Sequence, residues 1–390
     1  MLRQPAIHLT LILGLIIVSA APTAFAADPA SPNAFGRISC SDVHSCAVTS
    51  NGSVACWGSN ENGQAPPKAP AGSYQQVATG ARHSCALKTD GDVVCWGSNT
   101  EATGKIPLGQ STPPKGKFLQ IDAGGYFNCG IKSNHEVACW GDGRSGETSP
   151  PAGKFVQISS GYKFSCGVLE GGKVTCWGRN MHGEAPKEPH EGHFKQVSAG
   201  QVHACGILVD GKIACWGQNA DGQAPMESPG GTYTQLSSAT SHTCAVTSEG
   251  LAKCWGSNTV FMKTTGQATP PSGQFRELST GFAHTCGIRV DGAISCWGSD
   301  IGMNAVRYGQ ATPPKELAPP GAGAPAPAPT GVSTSSTANS AAVANTTPTA
   351  PISSAALASE DGNHFSTWAW LAGIAAVIGA ALVLRRPKRT

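Results

Sequence analysis

Apolar and polar positions alternate in short runs broken by turns, and the same run returns seven times. In the first copy Ala47-Val48-Thr49 leads into Ser50-Asn51-Gly52 and out through Ser53-Val54-Ala55. Period two on both sides of an Asn-Gly turn predicts an antiparallel hairpin with a three-residue loop. The loop glycine recurs as Gly52, Gly91, Gly172, Gly211, Gly250 and Gly292, with His135 in its place in the third copy. Upstream of each hairpin lies an aromatic and a β-prone stretch, as in Tyr74-Gln75-Gln76-Val77 and Phe194-Lys195-Gln196-Val197. A helical period is absent from the whole array.

The cysteines fix the register of the repeat. Cys-Trp-Gly occurs at Cys56, Cys95, Cys139, Cys176, Cys215, Cys254 and Cys296, at intervals of 39, 44, 37, 39, 39 and 42 residues. Ten positions before each stands a second cysteine: Cys46, Cys85, Cys129, Cys166, Cys205, Cys244 and Cys286. With Ser50-Asn51-Gly52 as the loop, Val48 faces Val54 and Cys46 faces Cys56. Opposed residues on antiparallel strands have Cα atoms roughly 4.5–5.5 Å apart, which a disulfide spans. The spacing therefore predicts one bridge inside each repeat, pairing between repeats being the alternative that spacing leaves open. Cys40, the fifteenth cysteine, belongs to no pair. It is read as a buried thiol or as an intermolecular bridge.

Units of about 40 residues made of a few short strands bury their faces only by stacking on neighbours. The terminal copies are as regular as the central ones, which favours a ring over an open stack. The expected fold is all-β, a seven-bladed β-propeller over 34–316. The run Ile38–Gln64, with Asp42-Val43-His44, Asn51-Gly52, Trp57-Gly58-Ser59-Asn60 and Gly63-Gln64, closely resembles the repeat of the regulator of chromosome condensation family. The short period, with proline after Gly-Gln, is closest in style to propeller-type β-lactamase inhibitors and exported bacterial repeat proteins. The resemblance implies a seven-bladed propeller. Its members act as exchange factors, inhibitors or photoreceptors through surface residues with no match here, so no function is carried over.

The two ends read differently. Residues 1–26 join Arg3, the apolar run Leu9–Val18 and Ala24-Phe25-Ala26, the pattern of a secretory signal. Export favours disulfides. Residues 317–364 are rich in Ala, Pro, Ser and Thr and read as a disordered linker. Phe365–Leu384 is uncharged for 20 residues, long enough for a transmembrane helix. The basic tail 385–390 then reads as cytoplasmic. Ser366-Thr367-Trp368 and its surroundings weakly resemble PEP-CTERM sorting signals, without their Pro-Glu-Pro. These features place the chain at the cell envelope or cell surface, anchored at its C-terminus.

A formal charge of +3 over 390 residues does not make the footprint of a nucleic-acid binder. His44, His83, His203, His242 and His284 each precede a cysteine by two residues, the beginning of a metal-ligand pattern. Phe127 and Phe164 replace that histidine while both cysteines remain, so packing is expected and a metal is not. The seven tryptophans after cysteine read as packing aromatics. Asp221 and Glu147 are expected to be solvated. No phosphate loop, zinc-protease motif or nucleophile elbow is present, so neither a cofactor nor a catalytic set is expected.

Copies two, six and seven carry insertions between Trp-Gly and Gly-Gln, and in a ring these fall on one arc. They hold Ile106 and Leu108, then Phe261 and Met262, then Ile301, Met303 and Tyr308. Apolar groups collected on one face suggest a contact patch, against neutral loop drift. The expectation is a monomeric, membrane-tethered binding module for an unknown protein or glycan. A hydrolase or lyase at the central channel and a structural envelope component are the alternatives.

Overall fold

The computed structural model of the protein describes residues 36–188, 190–302 and 305–317. The expected leader, apolar span, basic tail and all of the linker but Leu317 lie outside the described residues. Seven three-stranded antiparallel sheets follow one another along the chain, each in the order inner, middle, outer strand. In blade 1 these are Ile38–Cys40, His44–Val48 and Val54–Gly58. Blades 2 to 7 repeat the plan, with middle strands beginning at His83, Phe127, Phe164, His203, His242 and His284. No helix occurs among the described residues, so none there is long and apolar enough to cross a membrane.

The hairpin between middle and outer strands sets the register of each blade. Val48 pairs with Val54 and Cys46 with Cys56, and Gly52 takes φ +80° to close the loop. His135, at the equivalent place in blade 3, takes φ +67°, a left-handed conformation that His tolerates better than branched residues. Disulfides join Cys46–Cys56, Cys85–Cys95, Cys129–Cys139, Cys166–Cys176, Cys205–Cys215, Cys244–Cys254 and Cys286–Cys296. Their Cα separations, 4.0–4.1 Å, fall below the expected 4.5–5.5 Å. The pairs occupy narrow, directly opposed cross-strand sites.

The inner strands of blades 2 to 7 begin with a buried aromatic: Tyr74, Phe118, Phe155, Phe194, Tyr233 and Phe275. An extra residue then shifts the register before the next paired position, as between Phe155 and Gln157. Such a bulge re-aims the side chains that follow. In five of these blades the aromatic meets the tryptophan of its own outer strand, for example Phe155 and Trp177 at 5.9 Å. Each blade-to-blade interface has its own apolar cluster, as where Phe164 and Val168 pack on Phe194 and Val197.

Polar groups at fixed repeat positions register one blade on the next. The seven blade tryptophans donate from Nε1 to the carbonyl of the Gln or Glu in the preceding Gly-Gln step, at 2.8–3.1 Å. The tryptophans are thus donors as well as packing aromatics. Glu147 fills one of those glutamine slots and is 1% exposed. The expectation that it is solvated was wrong because the repeat position, not the charge, decides its burial. Five inner-strand glutamines, Gln76, Gln120, Gln157, Gln196 and Gln235, each bond the backbone N–H and C=O of one residue in the next blade, at 2.8–3.1 Å.

The first and last blades meet. Glu277 accepts hydrogen bonds from the N–H groups of Gly36 at 2.6 Å and Arg37 at 3.0 Å. Ser279 accepts from Cys40 N at 2.9 Å, and Trp57 Nε1 reaches Gln310 O at 2.8 Å. Ile38, Trp57, Cys286 and Ile294 share one apolar cluster. The sheets therefore close into a ring.

Candidate functional site: the channel and its long-loop face

The inner strands surround a central channel with a small cavity at each end. One cavity, about 110 Å³, is lined by the glutamine ring together with Asp122, Ser159, Ser198, Ser237, Glu277 and Ser279. These polar groups are already engaged in holding blades together. Asp122 Oδ2 accepts from Ser160 N, and the three serines that follow it accept from Ala199, Ser238 and Thr280 N. Burial pushes the Asp122 carboxyl up to about 6 and Glu277 up to about 7. In Glu277 burial outweighs the downward pull of three backbone N–H groups and Arg37. These are structural carboxyls on opposite parts of the ring, not a paired acid and base.

The other cavity, about 100 Å³, is framed by the loops between inner and middle strands, including Asp42, Gly125, Tyr162, Gln201 and Thr240. Asp42 is the one carboxylate in its lining, and desolvation raises it to about 6. Nothing in either cavity couples a nucleophile to a base and an oxyanion donor, the minimum for covalent catalysis.

The five histidines do not face the channel as ligands. Each is fully buried and reaches across a blade junction with Nε2. His44 meets Ser84, His83 meets Asn128, His203 meets Thr243, His242 meets Thr285 and His284 meets Ser45, at 2.8–2.9 Å. Burial drives all five down to about 3 or 4, so the rings are neutral at physiological pH. Where the next blade offers Ala204, the junction carries Phe164 instead. Cys40, His284 and Cys286 bring possible ligand atoms within 4.8 Å of one another. Cys286 is already bonded to Cys296, which leaves too few donors for a structural metal centre.

The inserted loops leave from the ends of the outer strands, on the face that carries the loops around Asp42. Phe261 lies 6.4 Å from Phe282, which belongs to that channel-side set of loops. Gly302 sits against both Val43 and Tyr308, so the blade 7 insertion leans on blade 1. Arg82 Nη1 donates to Ala102 O and ties down the blade 2 insertion.

The apolar residues of these loops are unequally placed. Ile106 is 52%, Phe261 56% and Met262 fully exposed. Leu108, Ile301 and Tyr308 are half-buried, and Met303 lies outside the described residues. Val260 is buried and pairs with Lys263 in a small hairpin, Thr259–Val260 with Lys263–Thr264. The two residues at its tip are Phe261, φ +49°, and Met262, φ +61°. Tyr126, Tyr162 and Phe282 belong to the same face and were not singled out in the sequence, since they sit at repeat positions that vary from copy to copy, with Asp42, Gln201, Arg82 and Lys163 among their equivalents.

The Regulator of chromosome condensation (RCC1) repeat model matches residues 37–64, 74–102, 118–147, 155–184, 194–223 and 234–261. The chain carries RCC1-type repeats. These matches cover six of the seven sheets, and blade 7 repeats their strand order, disulfide and tryptophan bond.

Solved structures share the fold. The CRINKLY WD40 ectodomain of the Arabidopsis thaliana receptor kinase ACR4 superposes with a TM-score of 0.55 at 23% identity, over 70% of this chain and 98% of that one. The ectodomain of the Physcomitrella patens receptor kinase CR4 gives 0.53 at 25% identity, over 68% and 73%. Prp20p from Saccharomyces cerevisiae gives 0.53 at 16%, over 63% and 80%. No curated protein matches the chain by sequence.

Proposed function

We propose that this chain of RCC1-type repeats is an exported, envelope-tethered binding module whose long-loop face engages a protein partner through Phe261 and Met262. The hairpin tip carries the reading. A two-residue hairpin loop with both residues at positive φ is a type I′ turn, for which Asn-Gly is the favoured sequence. Large apolar side chains there cost of order 1 kcal/mol each in backbone strain. Phe261 meets Phe282 yet stays 56% exposed, and Met262 is fully exposed, so neither joins the ring's buried core. Strain and exposure spent together at one projecting point fit insertion into an apolar pocket of another protein.

Export rests on the leader-like sequence of residues 1–26. It is supported by the likeness to receptor-kinase ectodomains, which are by name extracellular. Tethering rests on the apolar run Phe365–Leu384 and the basic residues after it. The disulfide in every blade suits an oxidising compartment.

The test is F261N/M262G in the full chain. The Asn-Gly turn should leave the unfolding midpoint unchanged or slightly higher. Crosslinked capture from the native envelope should lose a protein that the wild-type chain retains. Equal capture by both chains, or no protein specific to the wild type, removes the face from consideration.

A further inference from the structure

Six junctions between neighbouring blades are crossed by the chain itself, which runs from one outer strand to the next inner strand. Among the described residues the junction of blade 7 with blade 1 is crossed by noncovalent contacts, those of Glu277 and Ser279, the His284–Ser45 bond and the Trp57–Gln310 bond among them. The one unpaired cysteine among the described residues, Cys40, lies at this junction, at the end of the blade 1 inner strand. Corresponding positions in the other blades are Thr79, Ala123, Ser160, Ala199, Ser238 and Thr280. Its sulfur does not face empty space. Ser45 Oγ is 3.4 Å away, and Cys286 Sγ, half of the blade 7 disulfide, is within 4.8 Å. Cys40, Cys286 and Cys296 belong to one packed cluster.

We propose that Cys40 is the nucleophile of an internal thiol–disulfide exchange that moves the blade 7 bridge from Cys286–Cys296 to Cys40–Cys286, tying the last blade to the first. The Cys40 thiolate attacks Cys286 Sγ, the Cys286–Cys296 bond breaks, and Cys296 leaves as a thiolate. Cys296 takes up the proton that Cys40 gave up. One disulfide and one thiol enter and one of each leaves, so no oxidant or reductant is required. The attack is aimed at Cys286 because Ser279, the residue cross-strand from Cys286, holds the Cys40 backbone.

The closed ring keeps the exchange silent. Burial pushes the Cys40 thiol up to about 11, and the thiolate is the attacking species. Loosening of the junction rehydrates Cys40 and restores an ordinary thiol beside an accessible disulfide. The product bridge spans residues 40 to 286 in place of a separation of 10. It therefore constrains a far longer loop of the unfolded chain and turns the one noncovalent junction into a covalent one.

The full chain is incubated in sub-denaturing urea at about pH 8.5, where exposed thiols are largely reactive, then alkylated and mapped without reduction. The expected result is a Cys40–Cys286 linked peptide with label on Cys296. Label on Cys40 with Cys286–Cys296 intact overturns the proposal. The C40S variant puts at residue 40 a side chain that blades 4 and 6 already use there. It should show no label on Cys296 above background under the same conditions. Labelling of Cys296 in C40S equal to wild type also overturns the proposal, because opening of that bridge would then not depend on Cys40.

Discussion

His203→Phe should make the protein less stable at pH 8 and more stable at pH 5. His203 is fully buried between blades 5 and 6, with Nε2 2.8 Å from Thr243 Oγ1. Loss of that bond costs about 1 kcal/mol at most. Thr243 keeps its bond to Gln223 O, and the unpartnered buried Nδ1 of His203 goes with the ring. Phe is already the native residue at this place in blades 3 and 4, as Phe127 and Phe164.

The acid side has the opposite sign. Burial lowers His203 from 6.5 to about 3. The folded protein refuses a proton that the unfolded chain accepts below pH 6.5, so stability is full above 6.5 and falls as pH drops toward 3. At pH 5 the gap of 1.5 pH units corresponds to about 2 kcal/mol per histidine. Phe has no such penalty. The difference between variant and wild type should therefore shift by about 2 kcal/mol between pH 8 and pH 5 and change sign. Urea unfolding midpoints of both proteins at the two pH values measure it. An equal gap at both pH values would refute the assignment of these histidines as neutral junction groups.

Glu277→Gln should show the reverse slope. Glu277 is raised to about 7 in the folded protein, so its contribution is full below about pH 4.5 and is lost as pH rises through 7. The variant should gain about 2–3 kcal/mol on wild type between pH 5 and pH 8, and parallel stability curves would count against it. Replacing both Cys166 and Cys176 by Ala removes a bridge across a separation of 10 residues. Stability to urea should fall by about 2–3 kcal/mol while the fold survives on the other six blades. Circular dichroism that showed loss of the whole sheet signal would mean that one bridge controls the ring.

The blade was legible in the sequence because it is local. Period-two alternation, a glycine at the αL position and a ten-residue spacing between cysteines fix the hairpin of Val48 and Val54 without reference to any other blade. The number of repeats set the number of sheets for the same reason. Junction chemistry was not legible, because it joins residues of neighbouring blades some 30 to 45 positions apart, beyond the reach of any local pattern. His203 needs Thr243, Trp177 needs the carbonyl of Glu147, and Glu147 is buried despite its charge. Ring closure was legible only as an argument from regular ends. Its means are tertiary: Glu277 stands where five other inner strands carry Gln, and it accepts from the N–H groups of Gly36, Arg37 and Ile38 of blade 1.

The same division holds for the candidate face. Insertion lengths located the loops on one arc, since length is a property of the chain. Only the folded hairpin decided that Val260 turns inward while Phe261 and Met262 project at positive φ. Pleat alternation is a local property, whereas exposure depends on what the rest of the ring leaves uncovered.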